Sequence, residues 1–474
     1  MTAFKTDFLS RRRFFKQAGA LTATGVLAGE PLSAAGLESA VRQGRAKQII
    51  FMVSDGMSHG TLAMADQLRL LSEGRSSHWM RMYRERPVVR ALMDTSSADN
   101  RVTDSAAASS AWGGGVKVPN GRLNVSREGE EMEPILLRAK RRGLRTGVVT
   151  TATVTHATPA GFIANSEDRN RQEDIARQYL EREVDVILGG GLAFFDPQRR
   201  RDGVDLAEQF AEAGWLWMES RDGLRQRPPG SEKLLGLFAQ GHLPFEVDRL
   251  HDEALRAQVP SLAEMTAAAL ETLSRGGRGF LVQIEGARVD HAAHNNDISG
   301  LLGDQLAFDD AIAVALDFCD AHPETLLLVT TDHGNANPGL NSGGMRGAAT
   351  LGRVRQFTGS LTRMNETWPG IESLDVAGVQ AHVRQTTGLA LREAHAEIIL
   401  ARLRDAWPTA YRRMSGITGV VGQVIANEID VGWVGNSHTS DAVELAAIGP
   451  GSERIRPWMD NTELHAVMTG VLGI

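Results

Sequence analysis

Gln48-Ile-Ile-Phe-Met-Val-Ser-Asp-Gly-Met57 decides the fold. Gln48 to Val53 carries no charge, and an acidic residue and a glycine follow at Asp55 and Gly56. A strand covered on one face alternates apolar with polar residues. A strand covered on both faces reads as a continuous apolar run, as in parallel sheets flanked by helices. Runs of the same kind lie at 146–150, 184–188, 280–284, 325–330 and 443–448. Helical periodicity fills intervals at 134–142, 172–182, 262–274 and 301–320. This alternation predicts an α/β fold, a large and mostly parallel central sheet with helices on both faces. Ligands of such sheets bind beyond the carboxyl ends of the strands. Asp55, Thr151, Glu285 and Asp332 each fall just after a predicted strand.

The 474 residues are 42% hydrophobic and 23% charged, an ordinary globular balance. The net charge of −7 and the lack of a dense basic run argue against a nucleic-acid partner. One cysteine, Cys319, excludes an intramolecular disulfide. It lies in the apolar run 311–319, where a buried structural thiol is expected. Ser10-Arg-Arg-Arg-Phe-Phe-Lys16 precedes a weakly apolar stretch and the small residues Ser33-Ala-Ala35. That pattern reads as a twin-arginine signal peptide over 1–35. Its partner would be the twin-arginine export machinery, and the mature protein would be periplasmic or extracellular. No stretch reaches the roughly 18 apolar residues that span a bilayer.

Two regions break the alternation. Residues 219–259 are polar and proline-bearing. Residues 339–434 open on a glycine-rich stretch and show one clear helix, at about 392–407. We read the second region as an insertion capping the site, inside a catalytic domain spanning 45–474.

The chemistry begins at Arg101-Val-Thr-Asp-Ser-Ala-Ala-Ala-Ser-Ser-Ala-Trp-Gly-Gly-Gly-Val-Lys117. Asp104 and Ser105 head a helix of small residues. The free N–H groups and positive dipole end of a first turn favour an anion. Taken alone the pair is an ordinary cap. Five further clusters change that weight: Asp55-Gly56, His156-Ala-Thr158, Glu285 to Asp290-His291-Ala-Ala-His294, Asp332-His333 and Asn436-Ser-His438. Asp290 and His294 share one helical face by their spacing. Imidazole with carboxylate and no thiolate suits zinc, whereas Glu285, Asp55 and a threonine hydroxyl form an oxygen set suited to magnesium. His78, His242, His251, His322 and His395 lack such settings and are read as surface or core residues.

Val102 to Trp112, Val154 to Ala160, Val282 to His294 and Thr331 to Gly334 resemble the motifs of the alkaline phosphatase family, in the family's order. The resemblance runs from about Lys47 to the C-terminus. It implies that Ser105 is the nucleophile and forms a phosphoserine. It implies two Zn²⁺, one held by Asp290, His294 and His438 and the other by Asp55, Asp332 and His333. It implies one Mg²⁺ held by Asp55, Thr158 and Glu285. Arg169 stands where the family places its phosphate-binding arginine, with Asp104 orienting it or capping the helix. His156 and His291 occupy positions that vary within the family, so the identity of the third metal stays open. The implied activity is hydrolysis of a broad range of phosphate monoesters to inorganic phosphate, with a homodimer as a common assembly. The alternatives are a phosphodiesterase, sulfatase or phosphonate hydrolase of the same superfamily, and a non-catalytic phosphate-binding protein.

Overall fold

The computed structural model describes residues 45–341, 350–406 and 411–474. The expected signal peptide at 1–35 lies outside these residues. The strands, in chain order, are β1 (Gln48–Val53), β2 (Val89–Asp94), β3 (Arg145–Thr153), β4 (Val186–Gly190), β5 (Leu216–Met218) and β6 (Leu234–Leu237). They continue as β7 (Phe280–Glu285), β8 (Thr325–Thr330), β9 (Gly334–Asn335), β10 (Gly339–Leu340), β11 (Val431–Gly432), β12 (His438–Thr439), β13 (Val443–Ile448) and β14 (Trp458–Asp460). Ten of them form one sheet in the order β14-β2-β13-β8-β1-β7-β3-β4-β6-β5.

The pleat explains the apolar runs. Ile50 and Met52 of β1 enter the apolar cluster on one face, whereas Ile49, Phe51 and Val53 enter the cluster on the other. Both faces are covered, so neither tolerates a polar position. Each fully buried side chain of this size contributes about 1.5–3 kcal/mol of transfer free energy.

All six predicted strands are present. One runs the other way: β13 is antiparallel to both β8 and β2. The short β12 lies at the carboxyl end of the sheet, and the few residues after it leave no room for a crossover, so the chain must run back. β3 extends past its predicted end, so Thr151 lies inside it. The sequence reading missed β2, β5, β6 and β14. β2 is partly exposed, and β5, β6 and β14 have only three or four residues each.

The 339–434 region is more regular than expected. The helix expected at 392–407 is Glu393–Leu403, and among the described residues it is accompanied by Leu361–Glu366, Val376–Thr387 and Ile417–Ile429. Val379, Val383, Ile399, Val421 and Ile425 join the same apolar cluster as Ile50 and Met52. The segment therefore enlarges the core on one face of the sheet. β10 and β11 pair antiparallel and bring its two ends together, Gly339 opposite Gly432.

The helix Ser105–Gly114 follows β2 and packs against the short helix Ala157–Ala160. The approach is close enough that a Cβ on Gly113 would stand 1.9 Å from the Gly161 carbonyl oxygen. Ser109 Oγ donates to the Thr158 carbonyl at 2.5 Å, and Gln283 Nε2 of β7 donates to the same oxygen at 3.1 Å. The alanines, serines and glycines of this helix thus allow the contact that fixes two site segments.

Gly113→Val should cost about 3 kcal/mol or more, since backbone cannot yield as a side chain can. Gly129→Ala, at positive φ but in open space, should cost about 1 kcal/mol. Urea unfolding midpoints of the two variants check both values. Equal midpoints would show that the helix contact is loose.

Candidate active site

Four neighbouring parallel strands, β8, β1, β7 and β3, deliver the site from their carboxyl ends. β8 ends at Thr330 and releases Asp332 and His333. β1 ends at Val53 and releases Asp55. β7 ends on Glu285 and leads into the helix Arg288–His294, with Asp290 and His294 on one face. β3 leads to His156 and Thr158. His438 arrives on β12, whose pairing with β9 sets His438 opposite Asn335 and beside His333.

The turn after β1 requires glycine. Gly56 has φ +68°, and a Cβ there would meet Asp290 Oδ1 at 2.4 Å. Its amide instead donates to Asp332 Oδ1 at 3.0 Å.

Two groups of ligand atoms result. In the first, His294 Nε2 lies 3.3 Å from Asp290 Oδ2 and 3.0 Å from His438 Nε2. The second nitrogen of each ring faces a backbone carbonyl, His294 Nδ1 that of Asn436 and His438 Nδ1 that of Thr103, both at 2.9 Å. A carbonyl can only accept, so each ring carries a proton on Nδ1 and turns Nε2 toward the other. With both rings neutral the two Nε2 lone pairs would repel, a clash that a proton or a metal ion between them removes. Asn335 Nδ2 fixes Asp290 Oδ1 at 2.6 Å.

In the second group, His333 Nε2 lies 3.1 Å from Asp332 Oδ2 and 3.6 Å from Asp55 Oδ1, with all three side chains fully buried. Ser105 Oγ is 3.3 Å from the same nitrogen. Asp55, His156 and Glu285 form a further convergent set. Thr158 Oγ1 donates to Asp55 Oδ2 at 3.4 Å, and Thr150 Oγ1 donates to Glu285 Oε2 at 2.5 Å.

The electrostatics of these groups are those of a binding site for cations. Asp55 Oδ1, Asp332 Oδ2 and Glu285 Oε1 are buried without a hydrogen-bond partner. Buried carboxylate oxygens are normally satisfied, and leaving them bare costs several kcal/mol. Burial, then the Asp332, Asp290 and Glu285 carboxylates, raises Asp55 well above its ordinary range. Burial pushes Glu285 up to about 7. Burial also acts on Asp290, but His294, His438 and His333 outweigh it and hold the carboxyl low. Asp290 in turn raises His294 to about 9 against the effect of burial. The donor chemistry and the orphaned oxygens both fit divalent metal ions.

Asp104 does both things expected of it. Its Oδ1 accepts from the Ala107 amide at 2.9 Å and caps the helix of Ser105. Its Oδ2 accepts from Arg169 Nη1 at 2.9 Å. Arg169 also donates through Nη2 to His156 Nε2 at 3.2 Å. The guanidinium is thereby aimed across the start of the helix.

The structure thus brings together Ser105, Asp104, Arg169, Asp55, Thr158, Glu285, Asp290, His294, Asp332, His333, His438 and His156. His291 is placed differently, with Nδ1 accepting from Arg288 Nη1 at 2.8 Å. It belongs to none of the convergent ligand groups among the described residues. His242, read from the sequence as an unremarkable histidine, stands against it with ring centroids 4.4 Å apart. No local pattern around Gly241-His242-Leu243 signals this placement. Only the return of the chain from β6 creates it.

Comparison with known proteins agrees with this geometry. The family model described as alkaline phosphatase matches residues 46–474. The chain belongs to the alkaline phosphatase family. Alkaline phosphatase 4 of Bacillus subtilis is 27% identical over 460 residues, covering 94% of each chain. Alkaline phosphatase of Escherichia coli is 30% identical over 348 residues, covering 64% of this chain and 73% of the other. The crystal structure of Thermus thermophilus alkaline phosphatase superposes with a TM-score of 0.83 at 32% identity, covering 94% of this chain and 96% of that one. The chain is a metal-dependent phosphomonoester hydrolase of this family. Among the described residues, no helix is long and apolar enough to cross a membrane.

Protons and metal compete for the same oxygens. Metal-free protein holds a proton on Glu285 up to pH about 7. Its raised carboxyl favours the metal-free fold at low pH and loses that effect as pH rises through this value. The gain in Tm on adding metal to chelated protein should therefore grow from pH 5 to pH 8, by roughly 1.4 kcal/mol per pH unit for each proton displaced. Thermal scans of chelated and reloaded protein across that range check the sign. A gain that shrinks with pH would contradict it.

Proposed function

We propose that Ser105 is the nucleophile of a phosphoserine mechanism acting on a broad range of phosphate monoesters. One observation carries the reading: the Ser105 hydroxyl, at a helix start, lies 3.3 Å from the His333 Nε2 that faces the orphaned Asp55 and Asp332 oxygens, while the preceding residue, Asp104, holds the Arg169 guanidinium.

Asp290, His294 and His438 would hold one Zn²⁺, and Asp55, Asp332 and His333 a second. Asp55, Thr158 and Glu285 would hold Mg²⁺, with His156 beside them. Bound there, such ions supply Lewis-acid stabilisation to the entering and leaving oxygens of an in-line displacement. Arg169 binds two non-bridging oxygens of the phosphoryl group in its fork. The amides at the Ser105 helix start add donors to the same oxygens. The Ser105 oxygen bonds to phosphorus as the P–O ester bond breaks, and the proton it gives up ends on the departing oxygen, so the organic group leaves as its alcohol. Water then opens the phosphoserine, releasing inorganic phosphate and restoring the hydroxyl. Asp104 holds Arg169 in line through both steps.

The basic motif at Ser10 to Lys16 supports export by the twin-arginine machinery and a periplasmic or extracellular site of action. That route carries folded chains, which suits a protein loaded with metal before crossing. A homodimer is the assembly we propose, on the family's habit alone.

Ser105→Ala should lower kcat for p-nitrophenyl phosphate by about a thousandfold or more while metal content is retained. Stopped assays with elemental analysis of the same samples check both halves. A variant of wild-type rate would remove Ser105 from the mechanism. The wild-type protein should prefer this monoester to bis-p-nitrophenyl phosphate and to p-nitrophenyl sulfate. Faster turnover of the diester would transfer the chain to the phosphodiesterase reading.

Arg169→Ala should raise the inhibition constant for inorganic phosphate by roughly tenfold to a hundredfold, the loss of a bidentate charged contact. An unchanged constant would show that the guanidinium does not reach the phosphoryl group.

A further inference from the structure

A second group of donors lies at the mouth of the site, one imidazole ring farther out than Arg169. His156, His242 and His291 stand around one another, with ring centroids 5.7 Å apart for His156 and His242, 5.5 Å for His156 and His291, and 4.4 Å for His242 and His291. Arg288 closes the group, its guanidinium stacked 3.8 Å over the Phe245 ring.

The hydrogen bonds fix which atoms are free. The Thr153 amide donates to His242 Nδ1 at 3.1 Å, so the neutral ring carries its proton on Nε2. Arg288 Nη1 donates to His291 Nδ1 at 2.8 Å, which likewise leaves an Nε2 proton. Neutral or charged, each of these two rings presents its Nε2–H as a donor. The Nε2–H groups of His242 and His291 meet no acceptor among the described residues.

Arg288 uses Nη1 on His291 and has no carboxylate within ion-pair distance among the described residues. Its Nε is buried without a partner. Asp304, Asp248, Asp297 and Glu366 act on it only from beyond ion-pair distance. Burial raises the strongest of these influences, Asp304, well above the ordinary carboxylate range. Apart from the Arg288 Nη1–His291 contact, this guanidinium and the two Nε2–H groups meet no acceptor among the described residues, one imidazole ring from Arg169. That is the donor pattern of an anion site.

We propose that Arg288, His242 and His291 form a subsite for a second anionic group on the substrate. The substrates favoured would be phosphate monoesters whose organic part carries a carboxylate or a further phosphate. The phosphoryl group would lie on Arg169 and the second anion one ring outward, bridged by His156. This inference rests on the phosphoryl position given above.

Two phosphonates that cannot be hydrolysed test it, phosphonobutanoate and butylphosphonate, which share a chain and differ in the terminal carboxylate. Calorimetric titration of the metal-loaded protein should give phosphonobutanoate an affinity at least about tenfold higher, the effect of one charged hydrogen-bonded contact. In Arg288→Gln and in His242→Ala the ratio within each variant should fall below about threefold. The ratio is insensitive to partial loss of folded or metal-loaded protein. Equal affinities in the wild type, or an advantage that survives both substitutions, would overturn the proposal. Neither phosphonate has an ester bond to break, so this result is independent of whether Ser105 performs the chemistry.

Discussion

The arrangement depends on one constraint: buried carboxylates that share a small volume need positive charge among them. Asp55, Asp332 and Glu285 are wholly buried, and each leaves one oxygen without a hydrogen-bond partner. Like charges at such separations cannot all ionise in a low-dielectric interior. The fold answers with imidazoles, His333 against Asp55 and Asp332, and His294 and His438 against Asp290. The remaining deficit is what divalent ions satisfy. The sheet supplies the rigidity this requires, because parallel strands end at a common edge and their ladders cannot slip without turning every apolar side chain to the wrong face.

The Ser105 side of the site is built by a different economy of residues. One aspartate, Asp104, both starts a helix and aims an arginine. The helix it starts is made of alanine, serine and glycine, so it can lie against the Ala157–Ala160 turn at backbone distance. Replacing bulk with proximity fixes Ser105 and Thr158 relative to one another through few atoms. Preorganisation of this kind is what makes oriented donors worth more in a dry site than in water.

The outer wall follows from the same architecture. The chain returning from β6 sets His242 beside His291, and the helix after β7 sets Arg288 beneath them. Both belong to connections at the carboxyl edge of the sheet, where side chains can vary without disturbing the strands. The metal-ligand candidates and the His242–His291–Arg288 group therefore share the connections of one sheet edge.

Much of this was legible in the chain. Six apolar runs marked six strands, since burial on both faces leaves no room for polar residues. Asp55, Glu285 and Asp332-His333 announced themselves by following those runs, and Asp290 with His294 by helical spacing. The direction of β13 was not legible, because an apolar run carries no sign of parallel or antiparallel pairing. The strands β5, β6 and β14 were too short to leave a pattern, and of the helices described in the 339–434 region only Glu393–Leu403 was foreseen. His242 and Arg288 were silent for a deeper reason. Sequence determines what each segment buries and which ligands leave each strand, because those are local properties of period and hydrophobicity. Which loop meets which across the edge of the sheet is set by the order of the strands. Only that order brought His242 to His291, His438 to His333 and Arg169 to Asp104.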